Sequence, residues 1–254
     1  MWIAITRAVS PAIAHCELTH VEREPIDLDR ARLQHTAYEE AIGRTGCRLI
    51  RLPAEPALPD SVFVEDTAIV LDDVAVVLRP GAPSRRPETG GIAGVLARHR
   101  RLARIEPPGT VDGGDVLRIG RTIYVGKSGR SNEAGRAQLG RRLAPFGYRV
   151  IGVELTGCLH LKSAVTQIAP GLILVNPRWV DPAALGNLER VEVHAREPFA
   201  ANALLIGGTI LYPAAYPRTR ERLVRRRLAV RSVDLSELAK AEGGITCSSL
   251  VFRA

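Results

Sequence analysis

Apolar residues in this chain fall mostly into short runs bounded by Gly, Pro or paired Asp, a pattern that predicts strands. Residues 1–7 read as a first strand. Residues 9–26, with Pro11 and Pro25, show no period and read as a long loop, of the kind that often serves as a lid or binding element. A helix is expected over 27–46, where Leu28, Ala31, Tyr38, Ala41 and Ile42 share one face and Asp29, Arg30, Arg32, Glu39 and Glu40 lie elsewhere. The alternating stretch 47–52 reads as a strand that Pro53 stops.

One order of elements then recurs. Strands at 67–71 and 74–78 pair across a turn at Asp72-Asp73, and a helix over 87–99 and a strand over 101–105 follow. The second set is 115–119, 122–125, a helix from 131 or 132 to about 144, and 148–153. The third is 164–168, 172–175, a weak helix at 182–187, and 188–193. In the fourth, strands at 203–206 and 209–212 precede a helix opened by Pro217, whose fixed φ suits a first helical position, and a strand at 228–233. The leftovers are strands at 2–7, 47–52 and 249–253 and the helix between the first two. They make a fifth strand–strand–helix–strand unit if the chain ends meet in space. The expected fold is therefore one α/β domain over residues 1–254, arranged about a pseudo-fivefold axis. An open α/β sheet with helices on both faces is the alternative.

A chain of 254 residues can bury a core without disulfides or metals. No apolar run reaches 18 residues, so no membrane span is expected, and the N-terminus lacks the features of a signal peptide; a cytoplasmic protein is the default expectation. Cys16, Cys47, Cys158 and Cys247 are widely separated with no C-x-x-C, which argues against a zinc site and against a disulfide framework. The formal charge of +8 raises nucleic-acid binding. That charge is nearly all arginine and is spread along the chain. Its clusters, Arg98-His99-Arg100-Arg101 and Arg225-Arg226-Arg227, fall at predicted helix ends, where cations are favoured and stay solvated. With no nucleic-acid-binding motif present, solvated faces are the preferred reading.

Four polar groups stand at equivalent places, each before an apolar strand. They are Asp60 to Asp66 with Glu65, Asp112-Gly113-Gly114-Asp115, Cys158 to Ser163 with His160, and Gly243-Gly244-Ile245-Thr246-Cys247. Adjacent carboxylates at a strand entry are costly to bury without a partner and make sense around a cation. If the fivefold repeat holds, the four groups converge. A thiol, a histidine and carboxylates around one cavity suit attack on a cationic, planar carbon: carboxylates grip a guanidinium, sulfur attacks its carbon, and a histidine moves the protons. Each piece also has a plainer reading. Cys247 can be an ordinary packed thiol, His160 a satisfied core histidine, Asp115 a turn cap, and Arg85 and Arg130 solvated loop residues rather than anchors for a substrate carboxylate.

The segments LPDSVFVED (58–66), RPGAPSRRPET (79–89), DGGDVL (112–117), VGKSGRSNEAG (125–135), LHLKS (159–163), YPRTRE (216–221) and GGITCSSL (243–250) resemble, in order, the dimethylarginine dimethylaminohydrolases of the guanidino-group-modifying pentein superfamily. The resemblance implies a five-bladed α/β propeller and hydrolysis of Nω-methylated arginines to citrulline plus methylamine or dimethylamine, without metal or organic cofactor. It implies that Cys247 is the nucleophile of a covalent thiouronium intermediate and His160 the general acid and base, with Asp112 the acidic residue beside it. Asp66 then holds the guanidinium, Asp60 and Glu65 lie in the pocket, and Arg85 and Arg130 bind the α-carboxylate. Leu18 matches the lid residue, and Ala241 a position that touches substrate through its backbone. Lys162 stands where arginine deiminases of the superfamily place an Asp, which favours the dimethylarginine branch. The alternatives are a deiminase acting on arginine or another guanidine, a nucleic-acid-binding protein, and a catalytically idle homologue. The expected partner is a small molecule, neither nucleic acid nor membrane, and a homodimer is one expectation for assembly.

Overall fold

The computed structural model describes residues 1–254. The chain opens with β1 (Trp2–Arg7), α1 (Leu28–Gly43) and β2 (Arg48–Leu52). A second unit holds β3 (Ala68–Val70), β4 (Val74–Val77), α2 (Thr89–Leu96) and β5 (Arg101–Arg104), and a third holds β6 (Val116–Ile119), β7 (Thr122–Gly126), α3 (Glu133–Leu143) and β8 (Arg149–Val153). A single helical turn, α4 (Leu161–Ala164), leads into β9 (Val165–Ala169), β10 (Leu172–Val175) and β11 (Glu189–Glu192). The last units are β12 (Leu204–Ile206), β13 (Thr209–Pro213), α5 (Pro217–Arg225) and β14 (Ala229–Val233), then α6 (Ser236–Ala239) and β15 (Leu250–Arg253).

These strands form five separate three-stranded sheets. In four of them, the middle strand pairs antiparallel with one neighbour through a hairpin and parallel with the other through a crossover, which parallel pairing requires. The fifth sheet joins the chain ends. β1 runs antiparallel to β15, with Ile5 opposite Leu250 and Ile3 opposite Phe252, and parallel to β2 across α1. The expected five-unit ring is what the topology shows. Middle strands are covered on both faces, so Val74–Val77 is buried throughout, whereas the outer Arg101–Arg104 exposes its arginines and half-buries its apolar pair. No helix is long and apolar enough to cross a membrane.

The boundaries differ from the sequence expectation for local reasons. α1 ends at Gly43, because the chain turns through Gly46 at φ 81°. The helix expected over 87–99 splits into a 3-10 segment, Pro83–Glu88, and the shorter α2. That expected over 182–187 is only a 3-10 turn, Pro182–Leu185. Glu39, expected on the polar face of α1, is buried; its carboxylate accepts from Thr6 Oγ1 at 2.6 Å and pairs with Arg51 at 2.8 Å. Arg100, expected in solvent, bridges its own blade and the closing one: its Nε donates to the Leu71 carbonyl at 2.8 Å and its guanidinium lies over the Phe252 ring.

Candidate active site

The four polar groups sit on short turns that end at strand entries: the 3-10 turns Val64–Thr67 and Gly113–Asp115, α4, and the loop before β15. Hydrogen bonds donated by main-chain amides lock these turns together. Glu65 N donates to the Cys247 carbonyl at 3.0 Å, Gly114 N to Asp66 Oδ1 at 2.7 Å, and Leu161 N to Asp115 Oδ1 at 3.0 Å. Asp115, which the sequence suggested as a turn cap, thus caps α4 from another blade, and its second oxygen accepts from Ser131 Oγ at 2.6 Å. The approach is close enough to require glycine: a Cβ on Gly114 would lie 2.5 Å from His160 Nδ1.

His160 Nε2 and Asp112 Oδ2 are 3.1 Å apart, both side chains buried, which leaves Nδ1 free for the cavity. The other oxygen of Asp112 accepts from Gly81 N at 2.8 Å. Burial alone would lower the imidazole pKa. The negative charge of Asp66, the hydrogen bond to Asp112 and the charges of Asp115 and Asp112 outweigh it and push the value up to about 9. The resting histidine is therefore an imidazolium at neutral pH.

Cys247 is partly exposed, and its Sγ accepts from Gly244 N at 3.2 Å. Burial of the sulfur, followed by the charges of Glu65 and Asp66, drives the thiol pKa upward, and the Gly244 N–H and Lys162 offset this only in part. Cys247 therefore rests as a thiol. A cation placed between sulfur and carboxylates removes that penalty and favours the thiolate.

The carboxylates are held differently. Asp66 is held well below the usual carboxylate range: burial would raise it, but His160, Arg85 and the Gly114 N–H prevail. Glu65 is pushed upward by burial despite Lys162 Nζ at 2.5 Å and Thr246 Oγ1 at 2.7 Å. Asn202 braces this corner, donating to Lys162 O and Thr246 Oγ1 and accepting from Thr246 N.

Two cavities share Leu159, His160, Glu242, Gly243 and Cys247. The smaller, about 20 Å³, is lined by Asp60, Asp66, Arg85, Arg130, Ala241 and Glu17. The larger, about 230 Å³, is lined by Glu65 and Lys162 together with Phe199, Tyr216 and Leu235. Asp112 is fully buried behind His160. Leu18 lines neither cavity; it packs against the core cluster that also takes Cys247. Arg85 is buried, with Nη1 on Asp66 at 2.6 Å and Nη2 on Glu88 at 3.0 Å, whereas Arg130 is partly exposed and donates to Thr19 Oγ1 at 2.9 Å. Of the two expected carboxylate anchors, Arg130 has the less committed guanidinium.

Glu88, Asn202 and Thr246 were not anticipated. Glu88, three residues after Arg85, was detectable as an acidic neighbour in RPGAPSRRPET, and Thr246 by adjacency to Cys247. Nothing local marks Asn202.

No family model matches the chain. A dimethylarginine dimethylaminohydrolase of Streptomyces coelicolor is 41% identical over 252 residues, covering 98% of this chain and 96% of that protein. This chain belongs to the dimethylarginine dimethylaminohydrolase family. A cysteine-to-serine variant of the Pseudomonas aeruginosa family member, solved with citrulline, superposes with a TM-score of 0.94 at 34% identity over 98% of both chains. A histidine-to-glycine family variant, solved as an adduct with S-methyl-L-thiocitrulline, also gives 0.94 at 34% identity, over 98% of this chain and 99% of that one. The family likeness spans the closing blade and the β15 entry that carries Cys247.

Asp66, Asp112 and His160 each place one donor atom within 4.8 Å of the others, a geometry that could hold a metal ion. Their lone pairs are committed, however. Asp66 serves Arg85 and Gly114 N, and Asp112 serves Gly81 N and the imidazole. A metal would have to displace a guanidinium and meet an imidazolium, so these residues fit a proton-transfer site better than a metal site.

Proposed function

We propose that this protein hydrolyses Nω-methylated L-arginines to L-citrulline and methylamine or dimethylamine, with residues 1–254 working as one pentein-type domain. The observation that carries the reading is a thiol and an imidazolium shared by two cavities, one lined by Asp66 and the other by Glu65, in a chain whose close relatives are dimethylarginine dimethylaminohydrolases. The guanidinium enters beside Asp66, and its positive charge favours the Cys247 thiolate, whose proton leaves to solvent water. Sulfur adds to the guanidinium carbon. His160 then gives its Nδ1 proton to the departing amine, leaving a thiouronium on Cys247. The neutral imidazole, held with its Nε2 proton on Asp112, takes a proton from water. The resulting hydroxide adds to the same carbon, the C–S bond breaks, and the hydroxyl proton passes to the departing sulfur, releasing citrulline and restoring the resting thiol. Each step uses only the thiol, the histidine, the carboxylates and water.

Asp60 and Arg130 suit the substrate's ammonium and carboxylate ends, and Ala241 offers its backbone on the same side. The larger cavity has room for the N-methyl groups. Glu65 is tied to Lys162, so it is not free to grip an unsubstituted guanidinium nitrogen, which supports the methylated branch over plain arginine deimination. All four cysteines are free thiols, which supports a reducing, cytoplasmic setting.

Citrulline formation from asymmetric dimethylarginine, monomethylarginine and arginine, measured side by side, tests the reading. Equal or better use of arginine would overturn the branch assignment. Turnover in a folded Cys247→Ala or His160→Ala variant would overturn the mechanism.

A further inference from the structure

The segment between Cys16 and α1 lies over the site, yet no hydrogen bond between main-chain groups ties residues 17–26 to the rest of the molecule. Side chains hold it instead. Glu17 N donates to Asp60 Oδ2 at 3.1 Å, Ser84 Oγ to Glu17 Oε1 at 2.5 Å, and Arg130 Nη2 to Thr19 Oγ1 at 2.9 Å. The densest attachment is to Glu242. Its Oε2 accepts from Thr19 N at 3.0 Å, and its Oε1 from His20 N at 2.5 Å and Val21 N at 3.0 Å. Three successive amides converging on one carboxylate form an anion nest.

Glu242 is also held in an uncommon conformation. Its φ is 57°, in the left-handed region, where only one other non-glycine residue of the chain, Arg227, is found. A side chain in that region is strained, and Gly or Asn would sit there more easily. The strain aims the carboxylate at the loop. Glu242 lines both cavities and directly precedes the Gly243-Gly244 turn that carries Cys247.

We infer that Glu242 is the latch of the lid, a positioning residue that closes residues 17–21 over the bound substrate. Two of the other ties explain why a latch is needed. Asp60 and Arg130 are the groups that a substrate's ammonium and carboxylate take over, so substrate entry releases Glu17 N and Thr19 Oγ1. Ser84 then holds only the Glu17 side chain, and Arg23 and Lys240 hold the base of the segment, Arg23 on the Ala14 and Cys16 carbonyls and Lys240 on Pro25 O, away from residues 19–21. The Glu242 nest competes with no substrate group and keeps the lid attached through turnover. The kinetic part of this inference rests on the hydrolase reading; lid attachment itself does not.

The test uses the full chain with Glu242→Gly and Glu242→Asn, which relieve the backbone and withdraw the carboxylate, and Glu242→Gln, which keeps one acceptor oxygen in reach. Lid opening is read without substrate as the rate of tryptic cleavage after Arg23, an exposed residue of the same segment. Cleavage is expected to rise about tenfold in the Gly and Asn variants and less in the Gln variant, a factor that one charge-assisted hydrogen bond already accounts for. KM for dimethylarginine should rise by a similar factor with kcat changing less, and Gln should recover part of it. Cleavage and KM within about twofold of the parent in either folded short variant would overturn the assignment. So would a fall in kcat at unchanged KM and unchanged cleavage, which would put Glu242 in the chemistry instead. If the parent chain lacks the hydrolase activity, the cleavage rates still decide the latch.

Discussion

Asp112→Asn changes one atom and, by the geometry, reverses one hydrogen bond. Oδ1 of the buried Asp112 accepts from Gly81 N at 2.8 Å, while Oδ2 faces His160 Nε2 at 3.1 Å. An asparagine can serve Gly81 only with its carbonyl oxygen, so its NH₂ turns toward Nε2. An imidazolium would then present N–H to N–H. Only a neutral ring that accepts at Nε2 fits, and its proton must sit on Nδ1. A hydrogen bond to a charged partner is worth about 1.5–3 kcal/mol, so the imidazole midpoint should fall from about 9 by about one to two pH units. Asp66, the larger stabilising charge, stays in place and limits the fall. The kinetic consequence reaches both halves. A neutral ring whose one proton sits on Nδ1 is a poor acid, because giving that proton up would leave an imidazolate, and it offers no lone pair at Nδ1 to take a proton from water, so turnover should slow by about 10²–10⁴. Carbon-13 titration of the imidazole and citrulline release read the two effects. A midpoint still near 9, with citrulline release within about threefold of the parent, would refute the reasoning.

The same titrations bear on stability. His160 has its folded pKa raised from 6.5 to about 9, so its contribution is full below about pH 6.5 and is lost as pH rises through 9; Glu88, raised from 4.5 to about 7 by burial against the pull of Arg85, also makes stability fall as pH rises through that window. Denaturant melts should show stability falling from pH 5 to 9, and a rise over that range would contradict both shifts. Lys162→Met strands Glu65 and should cost about 3–5 kcal/mol, most of it recovered in Lys162→Met/Glu65→Gln; additive single effects would sink the idea that the pair acts as a unit. Arg130→Gln should raise KM about tenfold with stability kept, whereas Arg85→Gln should also destabilise by about 3–5 kcal/mol, since Asp66 and Glu88 lose their shared cation. An Arg85→Gln protein that melts like the parent would show that the two carboxylates do not depend on it.

The chain's short apolar runs and its turn residues made the order of units readable, because a strand pair and its hairpin are local events. The leftover strands at both ends made ring closure readable too, since each of them needed a partner. Elements of a single turn, such as Leu161–Ala164 and Ser236–Ala239, carried no period and escaped notice. The chemistry was partly visible for a related reason: Asp66, Asp112, His160 and Cys247 are polar residues placed at the entries of buried strands, where a packing role alone would be costly.

Sequence by itself thus determined the set of candidate groups and the blade on which each one rides. Which charges meet was decided only in three dimensions. Glu242 reaches Thr19 across 223 positions, and Thr246 reaches Glu65 across 181. Glu39, polar on any helical projection, is buried because Thr6 and Arg51 come to it from neighbouring strands. Arg85, exposed by any loop rule, is buried because Asp66 and Glu88 surround it. Periodicity reports which face of an element is apolar. It cannot report the partner that makes burying a charge affordable, because that partner is supplied by another blade.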